Sequence, residues 1–180
     1  MAQKDLETAV LGMGCFWCTE AVFQELRGVI SVEPGYTGGE RPNPSYEQVS
    51  TGVSGHVEVA RVSYDPEIIS FKELLDVFWR VHDPTTLNRQ GNDEGEQYRS
   101  VIFYADESQR NVAESSKNEI ENAQEFTDPI VTTIEPLKVF YPAEDYHKNY
   151  FANNPNAGYC QVIIRPKVEK VRKLFKAKLK

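Results

Sequence analysis

Two cysteines separated by two residues, Cys15 and Cys18, are the side chains in this sequence best suited to covalent chemistry. They follow Gly14, where an apolar strand is predicted to end and a helix to begin. A thiol at the first turn of a helix faces unpaired backbone N–H groups and the positive end of the helix dipole, and both favour the thiolate. We therefore expect a lowered pKa at Cys15 and a nucleophile at neutral pH. Cys18 lies one helical turn further along, close enough for a disulfide.

Other interpretations of the cysteine pair stay open at this point. A zinc site would take Cys15, Cys18, Cys160 and a histidine, but the sequence has only one Cys-x-x-Cys pair, with large aromatic residues inside it. A thioredoxin-like dithiol oxidoreductase is a second alternative, although its fold does not predict the Gly/Pro-rich connection that follows the first helix. In a non-enzymatic binding module, the two cysteines would be small buried apolar residues. A total of three cysteines argues against a disulfide-stapled secreted domain.

Glu58 is the second candidate, because it interrupts the apolar face of a strand predicted over residues 56–64. Ala60, Val62 and Tyr64 share that face. If the face is buried, desolvation raises the pKa of the carboxyl group, and Glu58 becomes a proton donor at neutral pH. The competing interpretation is a structural glutamate that pairs with Arg61 or lies at a sheet edge.

The elements that position these side chains follow from hydrophobic periodicity and capping signals. The order at the start of the chain, β-α-β-β-α-β, matches the split βαβ unit of ferredoxin-like folds. The sequence therefore predicts an α+β protein, with helices packed on an antiparallel or mixed sheet and with long irregular C-terminal connections. A structured Gly/Pro loop is predicted over 34–44. The predicted strands cover 8–13, 29–33, 56–64, 99–105, 130–134, 137–141 and 162–164, and the predicted helices cover 16–27, 70–81, 106–123, a short stretch after 142 and 165–180.

Composition and charge limit the classes of function that fit this chain. The 180 residues carry a net charge of −7, and 40% of them are hydrophobic, as in ordinary globular proteins. Residues 165–180 carry +7 and the rest carry −14, which argues against nucleic acid as a partner. The longest apolar run, 9–18, is too short to span a membrane, and acidic residues stand where a signal peptide would be apolar. We expect one cytoplasmic catalytic domain over 1–180 that ends in a basic helix over 165–180.

A series of short motifs resembles the A-type peptide methionine sulfoxide reductase family. The motifs keep the family's order over roughly residues 8–160, which is nearly the whole chain, and their combination is highly specific. They are Gly14-Cys15-Phe16-Trp17, Gly35-Tyr36-Thr37-Gly38-Gly39, Pro42-Asn43-Pro44-Ser45-Tyr46, Gly55-His56-Val57-Glu58, Tyr64-Asp65-Pro66, Phe78-Trp79, His82-Asp83-Pro84, Arg89-Gln90-Gly91-Asn92-Asp93, Gln97-Tyr98-Arg99-Ser100 and Ala143-Glu144-Asp145-Tyr146-His147.

This resemblance implies a two-layer α/β sandwich and an oxidoreductase that reduces the S-epimer of methionine sulfoxide, free or in proteins, to methionine. At the matching positions, Cys15 is the nucleophile and Glu58 is the acid that protonates the sulfoxide oxygen. Tyr46 and Tyr98 hydrogen-bond that oxygen. Asp93 supports the site through hydrogen bonds.

The resemblance also implies a substrate pocket and a reductant. Phe16 and Trp17 form the apolar pocket for the S-methyl group. Cys15 becomes a sulfenic acid, a second thiol forms a disulfide with it, and an external dithiol such as thioredoxin reduces that disulfide, so no cofactor or metal is implied. Cys160 matches the family's distal resolving cysteine, whereas Cys18 stands where the family usually has glycine; either thiol, or a relay through both, stays open. We expect a monomer.

Overall fold

A six-stranded sheet forms the centre of the protein in a computed structural model that describes residues 4–180. In chain order the strands are β1 (Glu7–Met13), β2 (Val29–Thr37), β3 (Val57–Tyr64), β4 (Arg89–Gln90), β5 (Asp93–Glu94), β6 (Ser100–Tyr104), β7 (Thr133–Pro136) and β8 (Tyr141–Pro142). The sheet has the order β7-β6-β1-β3-β2-β8, and β4 pairs with β5 as a separate hairpin. Only β6 and β7 are parallel; the other pairs in the described chain are antiparallel.

Residues 4–180 also form six α-helices and several shorter helical turns, which lie between the strands or follow β8. The α-helices are α1 (Phe16–Phe23), α2 (Tyr46–Ser50), α3 (Phe71–Val81), α4 (Glu107–Asn122), α5 (Tyr150–Asn153) and α6 (Arg165–Leu174). Shorter turns of 3₁₀-helix cover Glu96–Tyr98, Asp145–His147 and Lys176–Lys178, and a π-helical turn covers Cys160–Ile164. Within residues 4–180, no helix combines the length and the apolarity needed to cross a bilayer.

The strand order confirms the predicted ferredoxin-like topology. The unit β1-α1-β2 is split, because β3 lies between its two strands. The unit that runs from β3 through α3 to β6 is split in the same way by β1. This arrangement places the ends of β1 and β3 side by side in the middle of the sheet. The residues that follow β1 and those that begin β3 therefore meet at one end of the sheet.

Side-chain alternation along the strands divides the interior into two apolar layers. Ala60, Val62 and Tyr64 of β3 lie in the main core, which also takes residues from α1, α3, α4 and α6. Val57 and Val59 point to the opposite face, where the connection over 137–140 covers them. The face of β3 that also carries Glu58 is thus the buried face on which the helices pack, as its pattern predicts.

The helix predicted over 70–81 is confirmed as α3, and a capping box stabilises its first turn. The Ser70 hydroxyl accepts a hydrogen bond from Glu73 N, and the Glu73 carboxylate accepts one from Ser70 N. A capping pair of this kind contributes about 1 kcal/mol to helix stability. Further along the helix, Trp79 Nε1 donates to Ser116 Oγ of α4 across a buried contact of 2.8 Å.

The basic tail is helical only in part, because α6 ends at Leu174. The tail nevertheless folds back on the body of the protein. Val171 is buried in the main core, and Arg172 forms two hydrogen bonds with the carboxylate of Glu25. Lys178 pairs with Glu73. Opposite charges on the tail and the acidic body are thus partly neutralised within the fold.

The strand predicted over 162–164 is wrong. This stretch belongs to the π-helical turn Cys160–Ile164, which continues directly into α6. Cys160, Ile164 and Val168 are buried, whereas Val162 is 70% exposed. That spacing is helical, and a three-residue apolar run is too short to distinguish the two periods.

The first helix is shorter than the predicted 16–27, because α1 ends at Phe23. Backbone contacts with the tail replace the missing turn: Arg27 N donates to Lys178 O, and Lys180 N donates to Glu25 O. Pairing between segments more than 150 residues apart leaves no local signal in the sequence.

Three further regions differ from their predictions. The strands predicted over 130–134 and 137–141 are observed as β7 (Thr133–Pro136) and the two-residue β8. Proline is tolerated in β7 because this strand lies at the sheet edge. The loop predicted over 34–44 begins later, since β2 continues through Thr37. The helix α2 was not predicted, although Ser45 and Gln48 form a capping box at its start.

Candidate active site

Cys15 lies at the junction between β1 and α1, as the position of Gly14 predicts. Gly14 has a φ of +97°, a conformation that L side chains rarely adopt, and a Cβ atom there would lie 2.8 Å from the side chain of Gln90. The chain therefore turns sharply at this glycine. Cys15 becomes the N-cap residue of α1, and its carbonyl oxygen accepts hydrogen bonds from Cys18 N and Thr19 N.

A cavity of about 200 Å³ opens beside Cys15. Its lining comes from the start of α1, the start of α2, the start of β3, the β5 strand and the C-terminal segment. The lining residues are Cys15, Phe16, Trp17, Tyr46, Glu58, Asp93, Tyr98 and Tyr159. The structure thus brings together seven of the predicted site residues, which are far apart in the sequence.

Glu58 is buried in the wall of this cavity, with 1% of its surface exposed. Its Oε1 accepts a hydrogen bond from Phe16 N at 3.3 Å, and its Oε2 has no partner within the described chain. Desolvation raises the pKa of this carboxyl group to about 8, and the negative charge of Asp93 adds to the effect. Arg61 pairs with Glu33 instead, and β3 is an interior strand. The competing structural interpretation of Glu58 is therefore wrong.

Two tyrosines face Glu58 from outside the sheet. Tyr46 is the first residue of α2, and Tyr98 ends the 3₁₀ turn before β6. Burial and the nearby Glu58 raise the pKa of both phenols. The two hydroxyl groups keep their protons at neutral pH and can donate hydrogen bonds to an oxygen atom bound in the cavity.

The aromatic wall of the cavity is held by the segment after β8. The Trp17 ring stacks on Tyr150, with 3.6 Å between centroids, and its Nε1 donates to His147 Nδ1 at 3.0 Å. Phe16 is fully buried and contacts the rings of Tyr36 and His147. These contacts fix Trp17 in one orientation. The sequence analysis did not assign a site role to His147, although its motif carries the family resemblance.

Tyr159 is a lining residue that the sequence analysis missed. Its hydroxyl donates to Asp93 Oδ2 at 2.6 Å and lies 3.9 Å from Cys18 Sγ. Asp93, predicted to support the site, thus anchors a tyrosine from the C-terminal segment at the wall of the cavity. The sequence offered two signals, its position next to Cys160 and its place among five tyrosines near polar loops, and for any one of these tyrosines packing was the simpler interpretation.

The ionisation of the cysteine pair differs from its prediction. Burial, the shared hydrogen bond with Cys18 and the charge of Glu58 raise the pKa of the Cys15 thiol well above its usual range. The same hydrogen bond, received from Cys15, lowers the pKa of Cys18 to about 7. Burial thus opposes the lowering expected from the helix end at Cys15, and the lower pKa of the pair belongs to Cys18.

All three cysteines are free thiols and belong to one apolar cluster. Cys18 and Cys160 are fully buried, and Cys15 is 7% exposed, at the floor of the cavity. Ala21, Ile164 and Val168 complete the buried part of the cluster. The two candidate resolving thiols therefore lie behind the cavity rather than in its lining. Among residues 4–180, no group of three or more His, Cys, Asp and Glu side chains is arranged to hold a metal ion.

A ferredoxin-like sandwich in which a cysteine and a buried carboxyl group line one cavity, with a second thiol directly behind it, fits a thiol-based oxidoreductase. Comparison with known proteins identifies the family. The model of the family described as "Peptide methionine sulfoxide reductase" matches residues 7–179. The chain belongs to this family of enzymes.

Relatives support this assignment in sequence and in structure. "Peptide methionine sulfoxide reductase MsrA" of Polynucleobacter asymbioticus is 52% identical, over 96% of this chain and 90% of that protein. The crystal structure of reduced Mxr1 from Saccharomyces cerevisiae is similar with a TM-score of 0.80 and 37% identity, and covers 86% of this chain and 89% of that one. The structure of Mxr1 in complex with Trx2 is similar with a TM-score of 0.57 and 28% identity, over 83% and 90% of the chains.

Proposed function

We propose that the protein reduces the S-epimer of methionine sulfoxide, free or in proteins, with Cys15 as nucleophile and Glu58 as proton donor. One observation carries this proposal: Cys15 and a buried, protonated carboxyl group with an unpartnered oxygen line the same cavity. A sulfoxide sulfur is a poor electrophile until its oxygen is protonated, so the two groups must act together.

In the proposed step, Cys15 Sγ attacks the sulfoxide sulfur while Glu58 gives its proton to the sulfoxide oxygen. The sulfur–oxygen bond of the substrate breaks, and the oxygen passes to Cys15 as a hydroxyl group. Methionine leaves, Cys15 is a sulfenic acid, and Glu58 is a carboxylate. The substrate sulfur is reduced by two electrons, and the Cys15 sulfur is oxidised by two.

The Cys15 thiol must lose its proton during this attack, because only the thiolate is a strong nucleophile. Cys18 is the acceptor that fits, since it lies one helical turn away in the same buried cluster and its pKa is about 7. We propose that the Cys15 proton passes to Cys18 as the new sulfur bond forms.

The remaining lining residues orient the substrate in this proposal. Tyr46 and Tyr98 donate hydrogen bonds to the sulfoxide oxygen and stabilise its developing charge. Phe16 and Trp17 take the methyl group. With the oxygen, the methyl group and the attacking sulfur fixed, only one epimer directs the rest of the substrate out of the cavity, and the family resemblance identifies it as the S-epimer.

An external dithiol closes the catalytic cycle by reducing the disulfide that follows the sulfenic acid. The similarity to Mxr1 in complex with Trx2 supports thioredoxin as this partner. The chemistry calls for no metal or bound cofactor. One copy of the chain supplies every residue of the cavity lining, and α6 packs on the same core as the sheet, so we propose a monomer with a single catalytic domain.

The proposed function predicts strict discrimination between the two sulfoxide epimers. With a dithiol reductant and each purified epimer of N-acetyl methionine sulfoxide methyl ester, methionine formation should be confined to the S-epimer. Chiral chromatography of the residual substrate measures the ratio. Equal consumption of both epimers would contradict the proposed orientation of oxygen and methyl group.

The rate of the first turnover should depend on pH with a narrow, bell-shaped profile. The rate rises through about pH 7, as Cys18 loses its proton, and falls above about pH 8, as Glu58 loses the proton it must donate. Rapid-quench measurement of methionine release tests both limbs. The variant Cys18→Ala should move the rising limb to higher pH and leave the falling limb in place. A rate that keeps increasing well above pH 8 would remove Glu58 from the role of acid.

A further inference from the structure

The position of Cys18 on α1 places its thiol against that of Cys15 for a geometric reason. Cys15 is the N-cap residue and Cys18 the third helical residue, two positions that lie next to each other on one side of the first turn. The same spacing brings Ser45 to Gln48 and Ser70 to Glu73 in this protein. In α1 the two side chains are thiols, and both belong to the same buried cluster. Side chains three residues apart on a helix are neighbours, so Cys18 lies within reach of the Cys15 sulfur.

Cys160 is held in a different way. The preceding residue, Tyr159, is fixed in the cavity wall by Asp93 and packs edge-on against Trp17. The following residues, through Ile164, form the π-helical turn that is buried against α1. Movement of Cys160 toward Cys15 would therefore disturb the cavity wall that holds the departing methionine.

We propose that Cys18 is the thiol that resolves the Cys15 sulfenic acid, and that Cys160 remains a thiol when this first disulfide forms. The proposal rests on the proposed function, since it takes the sulfenic acid as its starting point. Cys18 Sγ attacks Cys15 Sγ, the sulfur–oxygen bond of the sulfenic acid breaks, and the hydroxyl group leaves with the Cys18 proton as water. The products are one Cys15–Cys18 disulfide and one water molecule, with no other oxidant or reductant.

Ionisation agrees with this geometry. Resolution requires a thiolate at the attacking sulfur, and the Cys18 thiol has a pKa of about 7, whereas burial raises the pKa of Cys160. Cys18 is thus the better nucleophile of the two at neutral pH.

Peptide mapping after one turnover tests the proposal directly. Trypsin leaves Cys15 and Cys18 in one peptide, residues 5–27, and Cys160 in another, residues 149–167. Acid-quenched protein should therefore show the loss of two hydrogens within peptide 5–27, both in the wild type and in Cys160→Ser. In Cys18→Ser, the sulfenic acid at Cys15 should persist about 10²-fold longer and be trapped by a cyclic 1,3-diketone, because the high effective molarity of the neighbouring thiol is lost. Cys18→Ala repeats the test in a second variant.

Two results together would overturn the proposal. The first is a cross-link between peptides 5–27 and 149–167 that forms in Cys18→Ser at the wild-type rate. The second is a sulfenic acid that persists and is trapped in Cys160→Ser. Stoichiometric methionine release, measured in the same samples, reports separately on the proposed function. Stoichiometric hydrogen peroxide in place of the sulfoxide forms the sulfenic acid without the substrate, and the same mapping then tests the thiol pairing alone. Persistence of the sulfenic acid in Cys160→Ser but not in Cys18→Ser after peroxide would also contradict the proposal.

Discussion

Cys15→Ser is expected to reduce the release of methionine from methionine sulfoxide to the background of the uncatalysed reaction. The substitution exchanges one sulfur for one oxygen at the floor of the cavity and keeps the shape of the side chain. A serine hydroxyl ionises far less readily than a thiol, and its oxygen cannot accept the substrate oxygen to form a sulfenic acid. The loss should therefore exceed that of any other single substitution in the site.

A single-turnover assay is the right measurement, because it does not depend on the reductant or on the resolving thiol. Each wild-type molecule should release one methionine, and the Cys15→Ser variant should release none over the same time. The melting temperatures of the two proteins should be close, since the Cys15 side chain makes no capping hydrogen bond to α1 and serine keeps its shape. Substantial methionine release by the variant would exclude Cys15 as the nucleophile.

The buried face of β3 shows how far sequence reasoning reaches at this site. Strand periodicity alone places Glu58 beside Ala60, Val62 and Tyr64, and this placement is correct because alternation is a local property of a strand. The unpartnered Oε2 of Glu58 could not be predicted in the same way. It depends on which groups approach from α1, α2 and the C-terminal segment, and these approaches are set by tertiary packing.

The ionisation of the cysteine pair, in contrast, could not be predicted from the sequence. A helix N-terminus lowers the pKa of an exposed thiol, but Cys15 is buried, and its neighbour Cys18 takes up the negative charge. Desolvation and the interaction between the two thiols therefore oppose the lowering of the pKa that a helix N-terminus alone would produce. Tyr159 reaches the cavity from a segment 144 residues away in sequence, along a turn that was predicted as a strand at 162–164. Local patterns indicated a reactive thiol and a carboxyl group on a buried strand face, whereas the ionisation and the last wall of the cavity required the folded chain.

Glu58→Gln is expected to slow the first release of methionine by about 10²–10⁴-fold, the range that general acids contribute. Glutamine keeps the size of the side chain and the acceptor for Phe16 N, but its amide does not transfer a proton to the sulfoxide oxygen. The descending limb of the pH profile above about pH 8 should vanish with the carboxyl group. An unchanged single-turnover rate would discard Glu58 as the acid.

Glu20→Gln is the matched control for this substitution, because Glu20 is also a buried glutamate whose pKa is raised, to about 6, yet it lies outside the cavity lining. Its variant should keep the wild-type rate.

Stability measurements distinguish a Glu58→Gln protein that is slow because it has lost its proton donor from one that is slow because its fold is disturbed. Folded Glu58 keeps its proton up to about pH 8, whereas the unfolded chain releases it near pH 4.5, the ordinary pKa of a glutamate, so the free energy of unfolding of the wild type falls as the pH rises between these values. Glu58→Gln has no such titration, so its stability relative to the wild type should increase across that range while its activity stays low. A slow variant that is also less stable at pH 8 would indicate a structural role for Glu58 rather than proton donation.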